Sequence, residues 1–109
     1  MNSDQLLKVV IQALEDIKAK DIRVIELGKF ATLFTTMVVA SAESTRQTKA
    51  LANHVREAVK VAGGEVYGVE GEQTGEWMLV DLGEIVVHVM QPATREYYDL
   101  EGLWASSLH

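Results

Sequence analysis

Asp81 and His88 are the residues of this chain whose types and spacing could do acid–base chemistry. They lie in "GEWMLVDLGEIVVHVMQP", residues 75–92. An imidazole beside a carboxylate can move a proton near neutral pH, and the same pair can also serve only to lock a tautomer inside a sheet. Catalysis would need a third group, a nucleophile or a metal, and none stands nearby in the sequence. The chain has no cysteine, which excludes a thiol nucleophile, a zinc–thiolate site and a disulfide framework. His54, His88 and His109 lack metal-ligand spacing. Gly68, Gly71, Gly75 and Gly83 match neither a Walker loop nor a dinucleotide-binding turn. Ser41 and Ser44 have no His or Asp at an elbow-like spacing. Asp81 and His88 therefore read as a structural pair in a chain poor in enzyme chemistry, with no metal site and no cofactor.

The elements that must position them can be read from periodicity. Gly83 suits the first position of a two-residue type II′ turn, with Gly83–Glu84 at the tip of a hairpin. That register sets Leu82 opposite Ile85, Val80 opposite Val87 and Met78 opposite Val89, all on a core-facing side. The other side carries Trp77, Leu79, Asp81, Val86, His88 and Met90, with Asp81 and His88 on a diagonal.

Upstream, Ser3 can cap a helix striped by Leu7, Val10, Ile11, Leu14 and Ile17. "DIRVIEL" (21–27) alternates like a strand, "GKFATLF" turns the chain back, and "TTMVVASA" (35–42) reads as a buried strand. Ser44 or Thr45 opens a second helix with Thr48, Leu51, Ala52, Val55, Val59 and Ala62 on one face, and Gly63–Gly64 stops it. "EVYGVEGEQTGE" is a short strand and then a Gly-rich loop. Pro92 starts a last helix of one or two turns, followed by a loose tail. The expected architecture is α/β, a single mixed sheet of about five strands with flanking helices, in one domain spanning 1–109.

A chain of 109 residues can bury one modest core. No apolar run reaches the length of a membrane span and no basic-then-apolar leader opens the sequence, so a cytoplasmic location is expected. The net charge of −6 is uneven: residues 61–109 hold nine acids and one base, Arg95. Such a half repels nucleic-acid phosphate, so no direct nucleic-acid reading is expected, and it attracts a basic partner.

"MVVASAES-R--KALANHV", "GVEGEQTGEWMLVDLGEIVVHVM" and "REYYDLEGLW" together resemble the ribosomal silencing factor family, also called iojap-like proteins, from about Leu6 to Trp104. The resemblance implies an α/β fold related to nucleotidyltransferases. It implies binding to the large ribosomal subunit through its ribosomal protein number fourteen, steric exclusion of the small subunit, and repression of translation when nutrients are scarce. It attaches no catalytic activity to that role. A nucleotidyltransferase-like enzyme and a ribosome assembly factor are the alternatives. The chain departs from the family at Thr35, where many relatives have Asp, at Ala42, where a Gly is lost, and at Gln47 in the start of the second helix.

For such a partner, a few aromatic or apolar anchors ringed by charge should carry the affinity. The anchor candidates are Trp77, Leu82 at the hairpin tip and Tyr98. The acidic rim candidates are Glu70, Glu76, Asp99 and Glu101. Leu82 belongs on the core side by register, and only its place at the turn argues for exposure. Tyr97 and Tyr98 cannot both be buried by one helix face, and Leu103 with Trp104 should clamp the C-terminus to the core. The strand over 22–26 could pair with its own copy, which makes a homodimer a further expectation.

Overall fold

The computed structural model describes residues 1–27 and 34–107, the last four of them as helix backbone only. The turn expected in "GKFATLF" therefore lies largely outside the described residues. The elements are α1 (Ser3–Asp16), β1 (Lys20–Glu26), β2 (Thr36–Ser41), α2 (Thr45–Val61), β3 (Gly68–Glu70), β4 (Trp77–Asp81), β5 (Ile85–Met90), α3 (Pro92–Tyr98) and α4 (Leu100–Ser107).

One mixed five-stranded sheet has the order β1-β2-β5-β4-β3. β2 and β5 run parallel at its centre, and the other neighbours are antiparallel. Both central strands are buried at all six positions, which is why they read as continuous apolar runs. β1 is an edge strand, as expected, and carries a bulge between Lys20 and Arg23.

The hairpin register is the expected one: Val80 pairs with Val87 and Met78 with Val89. Leu82 N–H donates to the Ile85 carbonyl at 2.9 Å, and Gly83 takes φ +86° at the tip. The six predicted inward side chains all join the main core, together with Val10, Ala13 and Leu14 of α1 and Leu51, Ala52, Val55 and Val59 of α2. On the opposite face Met37, Val39 and Met90 form a second, smaller core with Ile25, Phe34, Trp77 and Leu100 around it.

Helix ends explain two departures from expectation. Asn2, not Ser3, caps α1: its side chain accepts from Gln5 N–H at 2.8 Å while Gln5 Oε1 accepts from Asn2 N–H at 3.1 Å. Ser3 is thus released, and its hydroxyl donates to the Glu84 carboxylate at the hairpin tip. The C-terminal segment forms two helices rather than one, because Asp99 takes a left-handed φ of 44°. Its amide caps α3 by donating to Arg95 O at 2.9 Å, and its carboxylate opens α4 by accepting from Gly102 N–H at 3.1 Å. The second helix behaves as read except at Ala62, which is its exposed C-cap rather than part of the buried face. Ser44 is the N-cap, and Gly63 and Gly64 close a Schellman turn onto Lys60 O and Val59 O.

Two of the three positions expected to depart from the family pattern are accommodated structurally. Ala42 is fully buried in the core, and Gln47 reaches back from α2 to Glu43 N–H at 3.3 Å. Thr35 is exposed, and its amide donates to Glu84 O.

Candidate partner-binding face

Trp77 opens β4, and the loop before it is tied down at three points. Gly75 N–H donates to Gly71 O at 2.9 Å, and Gly75 O accepts from the Thr48 hydroxyl on α2. Gln91 N–H donates to Glu76 O at 3.0 Å, while its side chain reaches Thr45 at 3.1 Å. Gly71 takes φ +98°, and a Cβ there would stand 2.0 Å from the Trp77 carbonyl oxygen. Only glycine allows the loop this close to Trp77.

So held, the half-buried Trp77 indole donates from Nε1 to His88 Nδ1 at 2.9 Å. Its ring lies 4.8 Å from that of Tyr98, tilted by 50°, and Tyr98 meets Tyr97 edge-on at 5.0 Å. These are attractive aromatic geometries. Tyr98 is 52 % exposed and Tyr97 82 % exposed. Two of the three predicted anchors, Trp77 and Tyr98, therefore form one surface, and Tyr97 extends it. The expectation that one tyrosine faces outward understated the result, because α3 buries none of its residues.

His88 sits beneath this surface, 7 % exposed. Burial pushes its pKa down to about 4, so the ring is neutral near pH 7. The indole N–H can only donate, so Nδ1 is the acceptor and the ring proton rests on Nε2. The expected Asp81–His88 pair is corrected accordingly. In the observed register His88 stands opposite Leu79, which leaves Trp77 and Asp81 as its two diagonal neighbours. Asp81 is instead engaged by the turn, where it accepts from Gly83 N–H at 2.9 Å.

Leu82 is also corrected as an anchor: it is 4 % exposed and packs in the main core. Its outward position along the chain did not outweigh its inward register. Glu101 is corrected as a free rim acid. It accepts from Arg95 Nε at 2.7 Å and lies 3.6 Å from Arg23, while Arg95 Nη1 donates to buried Ser41 at 2.7 Å. Asp99 is exposed, but its carboxylate is spent on capping α4. Glu70 and Glu76 are exposed, as expected of rim residues. Leu103 is 59 % exposed rather than clamped inward, and the Trp104 side chain lies outside the described residues.

Register placed Leu79 on the Trp77 face without naming it a site residue, and the ion pair of Arg95 was not foreseen. Leu79 is half-buried on the Trp77 face, opposite Glu70 on β3. The alternation that placed Trp77 there was sufficient to find it. Arg95, the lone base of the acidic half, was the available signal for a part-buried ion pair. Among the described residues no group of three His, Asp or Glu side chains is placed to hold a metal ion, and no helix is long and apolar enough to cross a membrane.

Known proteins resemble the chain over nearly its whole length. Residues 1–108 match the family described as ribosomal silencing factor during starvation. The chain is 52 % identical over 104 residues to the protein named ribosomal silencing factor RsfS from Chromobacterium violaceum, covering 95 % of this chain and 85 % of that one. A crystal structure of a Chromobacterium violaceum protein, 51 % identical, superposes with a TM-score of 0.94 over 96 % of this chain and 88 % of that one. A mouse protein named mitochondrial assembly of ribosomal large subunit protein 1 is 31 % identical over 101 residues, covering 90 % of this chain and 44 % of that one.

Proposed function

The chain belongs to the ribosomal silencing factor family, and on that premise we propose that it binds the large ribosomal subunit and sterically blocks the small subunit from joining. The contact is with ribosomal protein number fourteen, the setting is the cytoplasm, and the outcome is lower translation when nutrients are scarce. The observation that carries this reading is the continuous surface of Trp77, Tyr98 and Tyr97, with exposed Glu70 paired to Leu79 on the same sheet face. Aromatic anchors with an acidic rim suit a basic protein partner, with charge speeding the encounter and the aromatics supplying affinity. The role is that of a physical block and requires no bond to be made or broken.

Co-sedimentation of the purified protein with separated large and small bacterial subunits tests this directly. The protein should travel with the large subunit and reduce the joined particle when both subunits are mixed. Trp77→Ala and Tyr98→Ala should lose that association while remaining folded. Protein left at the top of the gradient at low salt would overturn the reading. A role in large-subunit assembly is the second reading, favoured by the name of the mouse relative. It predicts association with immature large particles and no effect on the joining of mature ones.

A further inference from the structure

Among the described residues, His88 is the one ionisable side chain in the buried class. Its ring is neither part of the apolar core under α1 and α2 nor exposed to a partner. It makes one specific polar contact, the 2.9 Å bond from Trp77 Nε1, with the two ring centroids 5.7 Å apart. The indole has a single donor, so this bond fixes how the ring is turned about its Cβ–Cγ axis. That rotation decides which part of the indole meets Tyr98.

We propose that His88 is a positioning residue for partner docking: as a neutral acceptor it holds the Trp77 indole in the orientation that supports Tyr98, and so forms the aromatic surface before the partner arrives. The inference rests on the docking role proposed above. Burial keeps the imidazole uncharged at working pH, which leaves the Nδ1 lone pair free to accept. An apolar residue of similar size would fill the space but leave the half-buried indole N–H without this acceptor. The ring could then leave its orientation, and part of the binding energy would go into restoring it.

Asparagine and leucine at position 88 separate this role from simple packing. His88→Asn sets Oδ1 where Nδ1 stood and keeps the acceptor, whereas His88→Leu fills space without one. The Trp77 indole N–H resonance is assigned by its loss in Trp77→Phe, then followed by proton–nitrogen spectroscopy and hydrogen exchange. In His88→Leu the resonance should shift and exchange faster, and affinity for purified large subunits should fall about tenfold. His88→Asn should restore both. A folded Leu variant with an unmoved resonance or unchanged affinity overturns the proposal. So does an Asn variant that keeps the resonance but loses the affinity, a result that decides the matter even where the Leu variant fails to fold. Wild-type protein that ignores large subunits would sink the docking role instead, and the indole resonance would still decide whether His88 orients Trp77.

Discussion

Replacing Arg95 with Met tests whether Glu101 belongs to the fold or to the partner surface. The Arg95 side chain is 12 % exposed and binds Glu101 and Ser41, each at 2.7 Å. Removing it leaves the Glu101 carboxylate with Arg23 at 3.6 Å, and leaves the buried Ser41 hydroxyl without its guanidinium donor. A fully buried pair broken on one side costs about 3–5 kcal/mol. Glu101 keeps some solvent and a second cation, so the expected loss is about 2 kcal/mol. For a domain of this size that lowers Tm by about 9 °C. Glu101→Gln should cost less, and the double variant should cost less than the sum of the two, because both remove the same bond. Urea and thermal unfolding read these values, with the urea slope unchanged. A fall of under about 3 °C with additive single variants would refute the reasoning. Glu101 would then be a surface acid free to meet a partner.

Stability should also depend on pH through His88. Its pKa is about 4 in the fold against 6.5 for the ordinary side chain, so below pH 6.5 the unfolded chain binds a proton that the folded one refuses. Stability complete above pH 6.5 is lost as pH falls toward 4, by about 3 kcal/mol at most, and His88→Asn should flatten this slope in urea titrations. An equal slope in the variant would assign the effect to other groups. Leu82→Ala should cost about 3 kcal/mol in unfolding experiments, as a core truncation, yet leave the folded protein's affinity for large subunits unchanged. Selective loss of affinity would return Leu82 to the binding surface. Gly71→Ala should cost about 2 kcal/mol or more and alter Trp77 fluorescence, since its Cβ would meet the Trp77 carbonyl. A neutral result would show that the loop has room to shift.

The hairpin was legible because a two-residue turn and strict alternation leave one register that buries Met78, Val80, Leu82, Ile85, Val87 and Val89 together. The face of α2 was legible for the same kind of reason, its apolar positions recurring at helical spacing. His88 shows where this logic stops. Register placed both Trp77 and Asp81 diagonal to it, and pattern alone does not choose between diagonals. The choice falls to the Gly83 amide, which occupies Asp81, and to the reach of the indole. The break at Asp99 was hidden because a left-handed aspartate looks like any other exposed acid until its carboxylate is seen to cap the next helix. Arg95 and Glu101 were likewise hidden, as burial of an ion pair depends on the sheet edge that receives it.

The central parallel pair has a consequence for the newborn chain. β2 is complete at Ser41, but the strand that pairs with its inner edge begins only at Ile85. At about 5–20 residues per second, roughly 2–9 seconds of synthesis separate the two. During that interval β1 can cover one edge of β2, while the other edge and much of the apolar surface on both faces await segments not yet made. Co-translational closure of this domain must therefore run late, after the hairpin has emerged, and chains cut short before residue 85 should be sticky fragments that depend on chaperones.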